Sequence, residues 1–128
     1  TVDALAASGD ERMAVIHRGL ADALVDMEAS TQYVLQALKD DQDAAMGASF
    51  DYMMQTGYVF GGWHMARSAL LALARIEGGS DNPFYEQKIA TTQFYAEQIL
   101  PRAAGHAGAV ATASGSLQSF PLDWIAGA

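Results

Sequence analysis

Apolar residues recur every three or four positions through the first third of the chain, at Met13, Ile16, Leu20, Leu24, Met27, Val34 and Leu38, with Thr31 the one polar step. That spacing draws a single stripe along a helix. Ser8 or Asp10 stands before it as an N-cap, and Glu11 falls in the first turn. Arg18, Asp22, Asp26 and Lys39 occupy the opposite face as solvated charges. The run at 40–43, with Asp40, Asp41 and Asp43, is too short for a linker and reads as a tight turn that caps the next helix.

A second helical stretch extends from about Ala44 to Ile76, and the Gly-, Ser- and Asn-rich segment at 77–83 closes it with residues that tolerate left-handed backbone. Asn82 then caps a third helix with Pro83 at its first position, where a missing N–H costs nothing. Its pattern runs through Ile89, Thr92, Ala96, Ile99 and Ala103. Pro101 lies inside that pattern and predicts a kink or a split. Beyond Gly105 the residues are small, and the closing "FPLDWIAGA" places Phe120 and Trp124 badly for a long helix, as a tail that docks on something. No strand alternation and no internal repeat is visible. Short turns between long helices predict an all-α fold: an antiparallel up-down bundle of three long helices, the third kinked near Pro101, with a short C-terminal tail. Residues 1–128 read as one helical domain.

Gly57, Gly61 and Gly62 fall inside the second helix, where each costs roughly 0.8–1.0 kcal/mol against Ala. They could break the helix, cradle a phosphate or let something pack closely. A phosphate loop follows a strand and opens a helix, and no strand precedes these glycines. Gly57 and Gly61 share a face with Gly62 beside it, which favours close approach of another helix backbone on steric grounds.

The net charge of −8, with only 7 Lys and Arg, opposes a polyanionic partner such as nucleic acid. No charge-free apolar run reaches membrane length, and the absence of cysteine agrees with a reducing, cytoplasmic setting. The chain starts at Thr1 without Met, as a processed start or an excised piece of a longer protein would.

Candidate chemistry is thin. His17, His64 and His106 are scattered without a Glu-x-x-His or His-Glu-x-x-His spacing, so no metal site is expected. The six methionines fall mostly at apolar positions and read as core filler. Arg67 lies four residues after Trp63 on the same face. It could stack on the indole, pair with a carboxylate across an interface, or sit on the helix surface. Nothing assembles a nucleophile, a base and an oxyanion site, so no catalytic residue is assigned.

Two segments carry a resemblance. "GYVFGGWHMARSAL", from Gly57, and "NPFYEQKIATTQFYAEQILPRA", from Asn82, resemble the helical C-terminal extension of a subset of acyl-CoA dehydrogenases, among them enzymes acting on methylmercaptopropionyl-CoA and similar thioesters. The likeness rests on the Gly-Tyr-Val-x-Gly-Gly-Trp string, Arg67, Phe84-Tyr85, Lys88-Ile89-Ala90, Phe94-Tyr95-Ala96-Glu97 and Leu100-Pro101. The resemblance implies a parent oxidoreductase with FAD, whose carboxylate base takes the α-proton of an acyl-CoA while the β-hydride passes to flavin. It also implies that the catalytic glutamate and the flavin site lie in regions absent here, so no catalytic, cofactor-binding or metal residue is carried onto this chain. A related branch, the alkylation-response flavoproteins, is associated with DNA through a basic C-terminal region; this acidic segment lacks that charge.

The expected role is therefore a noncatalytic module that packs on the remainder of the parent dehydrogenase or joins subunits of a homo-oligomer. Gly57, Gly61, Gly62, Trp63, Arg67, Phe120 and Trp124 are its packing and interface residues. The tail, with Leu122 and Ile125, either forms an interface or folds back over its own bundle. The alternative is a free-standing helical adaptor that binds a partner helix or an apolar ligand in its groove.

Overall fold

Asp10 opens the first long helix as its side chain allows: the carboxylate accepts the backbone N–H of Arg12 at 2.8 Å, and α2 runs Glu11–Asp40. The computed structural model describes residues 1–115 and 119–124, so Ile125 of the tail lies outside the described residues. Every regular element among them is helical. A short α1 (Val2–Ala7), which the sequence pattern did not predict, precedes α2 and buries Leu5 in the main core. Asp41 ends α2 and caps α3 (Gln42–Glu77) by accepting the N–H of Ala44 at 3.1 Å, the turn role predicted for the Asp cluster. Gly79, at φ +87°, supplies the left-handed residue after α3. Asn82 accepts the N–H of Phe84 at 3.0 Å and starts α4 (Pro83–Phe94) with Pro83 in its first turn.

The structure corrects the expectation of three long helices. Only α2 and α3 are long, and the third run is broken into α4, a π-helical turn at Tyr95–Ile99, and α5 (Arg102–Ala111). Pro101 has no N–H to return to the preceding turn, and the chain widens just before it. Leu100 donates five residues back, to the carbonyl of Tyr95 at 2.8 Å; Ala103 and Ala104 then bond only three residues back. The helix bends there and resumes as α5.

Contacts between neighbours fix their directions. The hydroxyls of Thr31 and Tyr52 meet at 2.9 Å, and Leu20 lies beside Gly62, so residue numbers rise along α2 as they fall along α3. Thr92 donates to the carbonyl of Met65 at 3.3 Å and Tyr95 to that of Tyr58 at 3.0 Å, while His106 meets Asp51 at 2.7 Å, so α3 and the bent α4–α5 element run in opposite senses too. The main core gathers Leu5, Met13, Ile16 and Leu20 against Val59 and Ala66 of α3, with Ile89 and Leu100 closing it. The apolar stripe of α2 does not stay buried. Ala23, Ser30 and Ala37 face inward, where small side chains let the helices approach, while Leu24 and Leu38 stand 38% and 54% exposed.

Arg12 joins the start of α2 to α4. Its guanidinium pairs with Asp10 at 2.7 Å and also with Glu86. Hydrogen bonds from the Arg12 side chain, with the cap itself, hold the Asp10 carboxyl below the usual aspartate range. The stabilisation is full above the ordinary aspartate pKa and is lost as pH falls through the depressed folded value. Asp10→Ala is expected to cost about 1 kcal/mol at neutral pH. Urea midpoints should converge for the two proteins in strong acid, and a gap independent of pH would contradict the assignment.

Candidate functional site

The helix runs through all three glycines of α3 without interruption, and none has a positive φ. Their backbone N–H groups lie inside the helical ladder, which excludes both a break and a phosphate cradle at this place. What faces them differs from the expected helix backbone. A Cβ on Gly62 would sit 3.2 Å from both terminal methyls of Leu100, and one on Gly61 would collide with the Tyr95 hydroxyl. Both are side chains from the broken helix. At Gly57 a Cβ would meet nothing within 4 Å among the described residues, so Gly57 makes no close approach to any of them.

The close backbone approach occurs elsewhere, at a glycine the sequence reading did not single out. A Cβ on Gly19 of α2 would lie 3.1 Å from the carbonyl oxygen of Ala96 in the π turn. The signal was present: Gly19 is a lone glycine in mid-helix, which costs about 1 kcal/mol unless packing uses it. Tyr95 is the other device of this turn. Its hydroxyl reaches over Gly61 to the Tyr58 carbonyl, and burial first, then the neighbouring Tyr58, pushes its pKa up.

Trp63 and Arg67 form one surface cluster. The Arg67 guanidinium carbon lies 4.9 Å from the Trp63 ring centroid, a stacking geometry, and Arg67 is exposed on the surface of α3. The indole N–H donates to the Thr1 hydroxyl at 3.0 Å, so Trp63 also clasps the end of α1. His64 packs 4.7 Å from the same ring, and Phe60 stands edge-on to it at 6.4 Å. Leu24 and Met27 of α2 meet Val59, Phe60 and Trp63 of α3 around a groove of about 390 Å³.

The groove opens onto a wider apolar surface. Met46, Phe50, Met53 and Phe60 are each more than half exposed, so two of the methionines assigned to the core stand on the surface. Of the histidines, His106 is satisfied by Asp51 and stacks on Tyr58 with ring centroids 5.7 Å apart. No group of three potential metal ligands occurs among the described residues. In the tail, Phe120 and Trp124 pair edge-on at 5.6 Å and are 49% and 71% exposed, with a single 3-10 turn at Leu122–Trp124. No described helix is long and apolar enough to cross a membrane.

Known proteins give this helical arrangement a family. The acetyl-CoA dehydrogenase C-terminal-like family matches residues 1–121, and the chain belongs to it. Among particular relatives, the chain is 30% identical over 107 residues to 3-methylmercaptopropionyl-CoA dehydrogenase of Ruegeria pomeroyi. It is 31% identical over 104 residues to the broad-specificity linear acyl-CoA dehydrogenase FadE5 of Mycobacterium tuberculosis. Those alignments cover 84% and 73% of this chain but only 18% and 17% of the relatives, so the chain spans less than a fifth of their length.

Proposed function

We propose that the chain is a noncatalytic C-terminal helical module of a FAD-dependent acyl-CoA dehydrogenase, whose parent enzyme introduces an α,β double bond into an acyl-CoA thioester. One observation carries this reading: a C-terminal family match across nearly the whole chain, beside relatives more than four-fifths of which it does not span. The residues described here do not suit a flavin. The α3 glycines have their N–H groups committed to the helix, and the Asp51–His106 pair is closed on itself. Chemistry therefore belongs to other segments of the parent, in the cytoplasm, and no catalytic step is assigned to this chain.

The module's work is packing, on the catalytic body or between subunits of a homo-oligomer. Support comes from the apolar face of α2 and α3 and from the exposed Phe120–Trp124 pair, since exposed apolar surface on this scale marks an interface. The Leu24–Trp63 groove favours a second reading, a free-standing adaptor for a partner helix or an apolar ligand. Two measurements decide. FAD titrated into the 128-residue chain should give no saturable change in flavin fluorescence, and micromolar binding at unit stoichiometry would overturn the noncatalytic role. The reading frame should extend several hundred residues upstream of Thr1; a start codon just before Thr1 would favour the adaptor.

A further inference from the structure

The outward face of α3 has a regular spacing along most of its length. From Met46 its positions step alternately by four and three residues through Phe50, Met53, Gly57 and Phe60, and on to His64, Arg67 and Leu71; every one is exposed. This is the spacing of a helix that packs against another helix along a seam. It lies opposite the buried row Ala48, Gln55, Gly62 and Ala69, and α2 reaches it at its edge, where Leu24 and Met27 line the groove beside Phe60. Arg67 is the one Lys, Arg, Asp or Glu on it.

We propose that this seam is a two-fold interface with a second copy of the chain, α3 packing antiparallel on its twin. The spacing reads the same from both ends. About a midpoint between Tyr58 and Val59, Gly57 of one protomer faces Phe60 of the other, Met53 faces His64, Phe50 faces Arg67 and Met46 faces Leu71. In a two-fold contact each such pairing occurs twice. The central pair is complementary in shape: Phe60 is 52% exposed, and the open space above Gly57 is a hole of the kind such a knob fills. The outer pair buries Met46 and Leu71, which are 73% and 69% exposed. Between them, a thioether meets an imidazole and a guanidinium meets a phenyl ring, both favourable contacts.

Orientation follows from the one charge. Parallel packing would set Arg67 on Arg67, His64 on His64 and Gly57 on Gly57. Antiparallel packing separates the two arginines by about 17 residues, roughly 25 Å along the axis, beyond the ~8 Å screening length at physiological ionic strength. Leu24 of α2, which shares the groove with Phe60, is also exposed and adds to the apolar face. The inference rests on the association half of the reading above. It can fail while membership in a dehydrogenase stands, because its test reads only mass and register.

Sedimentation equilibrium of the 128-residue chain should show a monomer–dimer equilibrium in the micromolar range. Phe60→Glu should weaken association at least about tenfold while leaving far-UV ellipticity unchanged and, at dilutions where both chains are monomeric, the melting midpoint unchanged too, since Phe60 is outside the core. The chain has no cysteine, so register can be read directly. Under mild oxidation, Met53→Cys chains mixed with His64→Cys chains should cross-link to each other far more than either does to itself. A chain that stays monomeric, a dimer indifferent to Phe60→Glu (as one held by the tail would be), or Met53→Cys chains that couple equally to themselves would each overturn the proposal.

Discussion

Gly19→Val is expected to destabilise the chain by about 1–3 kcal/mol, or more if the π turn cannot yield. A Cβ at this position would lie 3.1 Å from the carbonyl oxygen of Ala96, a backbone atom in the π turn that Pro101 imposes. Valine adds two methyls to that contact, so α2 or the turn must move. Gly61 and Gly57 should respond less sharply. At Gly61 the obstacle is the end of the Tyr95 side chain, which can swing away at the loss of its hydrogen bond to Tyr58. Gly61→Val should therefore cost no more than Gly19→Val, within about 1–3 kcal/mol. At Gly57 an added Cβ would meet nothing within 4 Å among the described residues, and Gly57→Ala in dilute, monomeric protein should gain up to about 1 kcal/mol from helix propensity alone. Urea melts of the three variants give the order. A neutral Gly19→Val would show that the backbone contact is not tight.

Gln55→Met is expected to raise stability by about 1–3 kcal/mol. Gln55 is fully buried in α3, and neither its side-chain oxygen nor its nitrogen has a hydrogen-bond partner among the described residues. A buried amide left in this state carries a desolvation cost that an apolar residue of similar shape avoids. Methionine matches its length and its helix propensity, so neither cavity nor backbone effects obscure the comparison. An upward shift of the thermal or urea midpoint is the expected result. A loss of stability would mean that the amide makes a bond, for example through a buried water, that methionine cannot replace.

Both residues show where the reading of the chain ran out. Gln55 lies in a polar-looking stretch, "MMQTG", and nothing in the linear order says that this face turns inward. Gly19 stands between charged and apolar residues of an ordinary amphipathic helix; its use depends on Ala96, 77 positions away in the chain. The methionines failed for a related reason. α3 carries apolar residues on almost every side between Ala44 and Leu73, so periodicity cannot choose which of them the core takes. Arg67 was legible only as a set of options, and the stack over Trp63 depends on a rotamer that linear order does not contain.

Helix existence and most helix ends were determined by the sequence itself. Asp10, Asp41 and Asn82 each cap through their own side chain to a backbone N–H two or three residues on, and Pro101 removes a donor wherever it stands. These are local effects that need no distant partner. The family resemblance was legible for a similar reason, being carried by ordered strings of residues. Only the tertiary structure decided that Leu5 docks, that Tyr95 and Leu100 fill the space over Gly61 and Gly62, and that Met46, Phe50 and Met53 remain outside. Burial depends on which helix lies beside which. That is a property of contacts between residues far apart in the chain, and spacing along one helix does not contain it.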